Sequence, residues 1–166
     1  MDITLSHNEL ESAGHKGAEE FVTLIKNAIV KAAGGELNAN SISLLSTEQI
    51  TLWAYFILRD EVMDGGFIQL IYNGYGQFFF RNPFARAIEE WGLIDLAPII
   101  RKAHRLYDKF RTKLEIECSD EEFMALFEQY PEFDALDDAF VENEEKWTLQ
   151  IAHYVDENLE RFVQID

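Results

Sequence analysis

An all-α fold is what this 166-residue sequence predicts, as a single-domain helical bundle of about six to eight helices ending in a long acidic helix. Three observations lead there. Apolar residues recur at helical spacing along nearly the whole chain, Ser/Thr caps stand where those stripes begin, and no alternating apolar/polar runs joined by Asn-Gly turns announce a hairpin. Hydrophobic residues make up 48% of the chain, with 13 Phe, 6 Tyr and 3 Trp, enough large side chains for a buried core.

The elements follow in order. Ala18, Phe21, Val22, Ile25, Ala28, Ile29 and Ala32 form the stripe of a first helix, stopped by Gly34-Gly35. Ser46 with Gln49 reads as a capping box opening a second helix, apolar nearly all round and therefore central. Asp64-Gly65-Gly66 breaks it, and Phe67 to Tyr72 makes a short helix ending at Asn73-Gly74. Asn82-Pro83 predicts an N-cap with proline at the first helical position, and Trp91-Gly92 a stop. Asp95 is placed at the next cap, ahead of a helix with Ile99, Ala103, Leu106, Tyr107, Phe110 and Leu114 inward and Arg101, Arg105, Lys109 and Lys113 outward. Ser119 with Glu122 is a second capping box, its helix ending before Pro131. Asp134 or Asp137 opens the last helix, expected to reach about Phe162. Its inner stripe is Leu136, Phe140, Trp147, Ile151, Tyr154, Val155, Leu159 and Phe162. The segment around His7 and His15 is weakly patterned and reads as a tail.

Charge is distributed unevenly. The net charge is −17, but Met1 to Leu114 holds 14 acidic and 12 basic residues, whereas residues 115–166 hold 17 acidic residues against Lys146 and Arg161 alone. Such a chain repels nucleic acid and anionic membranes, so direct nucleic-acid binding is not expected. The start of the sequence lacks a basic, apolar signal segment and no run is long enough for a membrane span, which points to the cytoplasm. The single cysteine, Cys118, allows no internal disulfide and stands among carboxylates, a poor setting for a thiolate nucleophile.

Tests for chemistry return little. A di-iron site needs Glu-x-x-His pairs, and the residue three before His153 is Gln150. His153 with Glu157, and His104 with Asp108, lie four residues apart on helix faces and read as ordinary surface pairs. No P-loop, GxSxG, HExxH or EF-hand spacing occurs, and the glycines near 65 and 74 read as helix stops. No enzyme, metal or cofactor is expected.

The acidic segment is the remaining candidate. On the last helix Asp137, Asp138, Glu142, Glu144, Glu145, Asp156, Glu157 and Glu160 fall mostly opposite the apolar stripe. That is roughly one charge per 4.7 Å of helix at a rise of about 1.5 Å per residue, against about 3.4 Å per phosphate along one DNA strand. Asp120, Glu121, Glu122 and Asp134 extend the set. A charge run on an amphipathic helix is usually a solvated face, and the basic stripe Arg101 to Lys113 offers an internal partner. Concentrating one sign to this degree costs self-repulsion that solubility alone does not require, so a basic partner is inferred.

Asp64-Gly-Gly-Phe-Ile-Gln-Leu-Ile-Tyr-Asn-Gly-Tyr-Gly, followed by Ala85-Arg-Ala-Ile-Glu-Glu-Trp-Gly and the helix through Ala103, resembles the bacterial DNA-mimic protein nineteen family. The likeness runs from about Ser46 to Lys113. It implies an all-α homodimer whose acidic surface imitates DNA phosphates and occupies the DNA-binding face of a basic protein such as a helix-turn-helix regulator. The large apolar residues from Phe67 to Phe84 are expected to leave some surface for the dimer. The rival reading is an immunity-type or adaptor protein that neutralises a basic toxin or nuclease.

Overall fold

Capping boxes open four of the nine α-helices. In the computed structural model, which describes all residues Met1–Asp166, nine α-helices account for nearly all regular structure. The chain divides into two compact units, Met1–Tyr55 with Lys146–Asp166, and Phe56–Glu145. No helix is long and apolar enough to cross a membrane.

In the first unit, Ser6 opens α1 (His7–Lys16): its hydroxyl accepts from the Glu9 amide, and the Glu9 carboxylate accepts from the Ser6 amide at 2.9 Å. The segment read as a tail is therefore a helix. Its Ser-x-x-Glu signature outweighs a weak apolar stripe of which only Leu10 is buried. Gly17, at φ 144°, turns the chain into α2 (Ala18–Ala32), where Val22, Ile25 and Ile29 are buried and Ala18 and Ala32 lie exposed. An Asn38–Ser41 box opens α3 (Ala39–Leu44), a helix not foreseen, and the expected Ser46–Gln49 box opens α4 (Thr47–Tyr72).

Gln49 does more than cap. Only 2% exposed, its Nε2 donates to the carbonyls of Met1 and Phe162, each at 2.8 Å, tying both ends of the chain to α4. The ends then form a two-residue parallel ladder, β1 (Thr4–Leu5) on β2 (Gln164–Ile165), too short to leave a period-two pattern. Tyr55 and Thr148 share a buried hydroxyl hydrogen bond of 2.7 Å. The last helix, α9 (Asp134–Glu157), stops five residues short of Phe162. Asn158 leaves helical geometry, its Nδ2 donates to the Tyr154 carbonyl, and a 3-10 turn Leu159–Arg161 delivers Phe162 to Gln49.

In the second unit, α4 breaks where expected. Gly65 and Gly66 carry non-helical angles, and Gly66 at φ 73°, ψ −175° occupies a region open essentially to glycine alone. The break leaves the Phe67 amide without a helical acceptor, and the Asp137 carboxylate on α9 takes it at 2.9 Å. Next come α5 (Gly76–Phe80), α6 (Phe84–Glu90), α7 (Leu96–Leu114) and α8 (Asp120–Gln129), then a 3-10 turn Pro131–Phe133 before α9. Asn82 is not an N-cap: its side chain donates to the Phe78 carbonyl behind it, and Pro83 holds the cap position of α6. Asp95 stands at the N-cap of α7 but with helical backbone angles and no side-chain cap bond. Ser119 and Glu122 form the expected box at α8. A side chain at Gly76 would collide with the Tyr107 ring, part of an aromatic core in which Phe79 meets Phe84 edge-on at 5.0 Å and Phe80 meets Tyr107 at 5.1 Å.

Gly66→Ala is expected to destabilise the protein by about 1–3 kcal/mol from backbone strain alone, and by more because the new Cβ would collide with the Asp137 carboxylate; chemical denaturation measures it. Burial, with smaller contributions from Asp134 and Asp138, pushes the Asp137 carboxyl from its ordinary 3.8 up to about 6 against the opposing Phe67 amide bond. A folded value above the unfolded one means that this group's stabilisation is complete below about pH 4 and is lost as pH rises through about 6. Asp137→Asn keeps an acceptor for Phe67, so its melting temperature should gain on wild type as pH rises from 4 to 7. Asp137→Ala should cost about 1 kcal/mol through the lost cap. An Asp137→Asn variant tracking wild type across that range would show the charge to be inconsequential.

Candidate functional site

Of the two His/acid pairs on helix faces, His104 and Asp108 make a surface contact. Arg81 lies between His104 and Asp108, with Nη2 2.6 Å from the Asp108 carboxylate and Nη1 3.0 Å from His104 Nε2. His104 Nε2 is also 3.3 Å from Asp108, and its ring stacks on Phe80 at 5.6 Å. One Nε2 cannot both accept from Arg81 and donate to Asp108, so the guanidinium and the carboxylate compete for it. The cluster is half exposed. His153 and Glu157 are both exposed on α9. His7, His15 and His153 border an open groove of about 550 Å³ that also touches Glu11 and Asp156. No group of three or more His, Cys, Asp or Glu side chains is arranged to hold a metal ion. Cys118 is half-buried, and its carbonyl accepts from the Tyr72 hydroxyl at 3.3 Å.

The carboxylates of the acidic segment divide into three exposed sets and one inward-facing pair. Asp120, Glu121 and Glu122 occupy the first turn of α8, exposed, where the positive end of the helix dipole favours them. Glu122 is partly engaged by its cap. On α9, Asp134, Asp138, Glu142 and Glu145 recur at spacings of four, four and three and are all exposed, a row along one helix face. In the other unit Asp156, Glu157 and Glu160 are exposed at the end of α9 and in the turn beyond. Two of the candidates face inward instead. Asp137 holds the α4 break, and Glu144 lies 3.7 Å from Arg59, both side chains largely buried. Inward placement follows from the helical period: Asp137 and Glu144 are seven residues apart, on the flank of the Leu136–Phe140 stripe.

The basic side of α7 does not neutralise this row. Arg101 pairs with Glu89 of α6 at 2.7 Å, holding that carboxyl below its usual range, and no ion pair joins Arg101, Arg105, Lys109 or Lys113 to a carboxylate beyond Glu115. The run from Phe67 to Phe84 is mostly core, with Tyr72, Tyr75 and Phe78 partly exposed. Phe67, Ile68, Leu70 and Ile71 of α4 are buried, as are Phe79, Phe80 and Phe84, which α5 and α6 carry against α7. Exposed large apolar residues lie elsewhere, among them Met63, Ile94, Ile116, Met124, Val141 and Leu149. A helix broken at Gly-Gly needs a new cap, and nothing local in the sequence says that Asp137 supplies it.

Residues 43–158 match the family described as DMP19-like protein. A protein of Neisseria meningitidis serogroup B, named DNA mimic protein DMP19, is 35% identical over 126 residues, which cover 75% of this chain and 76% of that relative. The matched span contains the α4 break, its Asp137 cap and the α9 acid row. The chain belongs to the DMP19-like protein family.

Proposed function

We propose that this chain is a DNA mimic that binds the basic, DNA-contacting surface of a DNA-binding protein, a helix-turn-helix regulator in the sharpest form of the reading. The observation that carries it is the row Asp134, Asp138, Glu142 and Glu145: four exposed carboxylates at helical spacing with no basic side chain of α7 paired to them. Asp120, Glu121, Glu122, Asp156, Glu157 and Glu160 add charge of the same sign on exposed positions. A row of like charges held on rigid helices presents a basic groove with fixed points of attraction and speeds its encounter. Membership of the DMP19-like family and the name borne by the Neisseria relative support the same reading. On it the protein acts as a non-enzymatic homodimer in the cytoplasm, where DNA-binding proteins are found.

Capture from the native host followed by competition with DNA tests the partner class. A helix-turn-helix regulator displaced from its operator is the expected result, and a basic toxin or nuclease would favour the immunity-type alternative. Exposed charge pairs are screened over about 8 Å at physiological salt, so affinity should fall steeply as salt rises. Asp138→Asn, Glu142→Gln and Glu145→Gln together should weaken binding about tenfold at low salt without lowering the melting temperature, whereas Glu11→Gln with Glu36→Gln should change little. Unchanged calorimetric affinity in the triple variant at both low and high salt would reduce the row to a solvated face. Light scattering is expected to give twice the 19.3 kDa chain mass, and a monomer would refute the dimer.

A further inference from the structure

The acidic faces are not purely acidic. On α9, Val141 is 53% exposed and sits three residues after Asp138, beside Glu142 and four before Glu145. On α8, Met124 is 64% exposed, with Asp120 four residues before it, Glu121 three before and Glu128 four after. Each apolar side chain is thus bracketed one turn away on both sides by exposed carboxylates. Isolated exposed apolar residues are common on any surface. The two here share one arrangement on two helices, at positions where a face built only for solvation, or only to copy phosphates, would carry another polar group.

Charge complementarity decides what can cover them. A partner segment seated on Val141 or Met124 must also meet the surrounding carboxylates, so it carries Lys or Arg around an apolar side chain. DNA-reading helices have that composition: cations for the phosphates, and short apolar side chains for the thymine methyl group in the major groove. We propose that Val141 and Met124 are apolar anchors that receive the base-reading side chains of the partner's basic helix, so that the surface imitates thymine methyls as well as phosphates. This inference rests on the DNA-mimic reading and adds to it a contact that salt does not screen.

The test uses the full chain and two synthetic helical peptides with lysines at one-turn spacing, one bearing leucine between them and the other serine at the same positions, titrated by fluorescence anisotropy at low and high salt. Val141→Thr and Met124→Gln preserve shape at exposed positions. Combined, they should weaken the leucine peptide about three- to tenfold, by a similar factor at both salts, and leave the serine peptide unchanged. Asp138→Asn with Glu142→Gln should weaken both peptides, and far more at low salt. Ile94→Thr, at a residue 68% exposed outside these faces, should have no effect. Wild-type affinity in the Val141/Met124 variant, or an equal loss from Ile94→Thr, overturns the anchors while the carboxylate effect keeps the charge reading standing. Wild-type affinity in the carboxylate variant removes the charge reading and the anchors with it.

Discussion

The Phe67 amide needs an acceptor, and the way that need is met sets the orientation of the candidate surface. Gly66 turns the backbone into a region that ends helical hydrogen bonding, and the orphaned amide finds Asp137 at 2.9 Å. Once Asp137 points at α4, the helical period leaves no freedom. Leu136 and Phe140 go into the core, and Asp138, Glu142 and Glu145 go out. Burial makes a carboxylate costly in that place and raises its pKa. Asparagine would satisfy the amide without the charge, so the acid is a feature that helix capping alone does not explain.

The other unit depends on an uncharged counterpart. Gln49 caps its own helix through the box with Ser46 and binds the carbonyls of Met1 and Phe162 with its remaining donor capacity. A buried amide with both of its ends employed contributes specificity because any substitute leaves backbone groups unsatisfied. The parallel pairing of Thr4–Leu5 with Gln164–Ile165 continues the closure begun there.

Electrostatics separates fold from function in this chain. The ion pairs that support helices, Arg101–Glu89, Arg81–Asp108 and Arg59–Glu144, consume cations and acids in matched numbers within residues 59–144. The exposed carboxylates of α8 and α9 stay outside that network. Their mutual repulsion weakens the compact state and is relieved only by counterions or a cationic partner. On the proposed reading, the same imbalance that makes the surface a poor contributor to stability makes it a good one to association.

The sequence by itself determined the helical class, the break at Gly65-Gly66, the capping boxes at Ser46 and Ser119 and the concentration of acid after Leu114, because periodicity, glycine and caps act over a few residues. The tertiary structure decided the rest. Asp137 and Asp138 are neighbours of identical chemistry, yet one is an internal cap and the other faces solvent, and only the position of α4 distinguishes them. Phe79, Phe80 and Phe84 are buried where α5 and α6 pack on α7, while Phe78 between them is partly exposed. The final helix ends at Glu157, and the turn beyond it brings the Phe162 carbonyl to Gln49, more than a hundred residues away in sequence. Each of these outcomes depends on a partner distant in sequence, and a local pattern carries no information about which distant group will arrive.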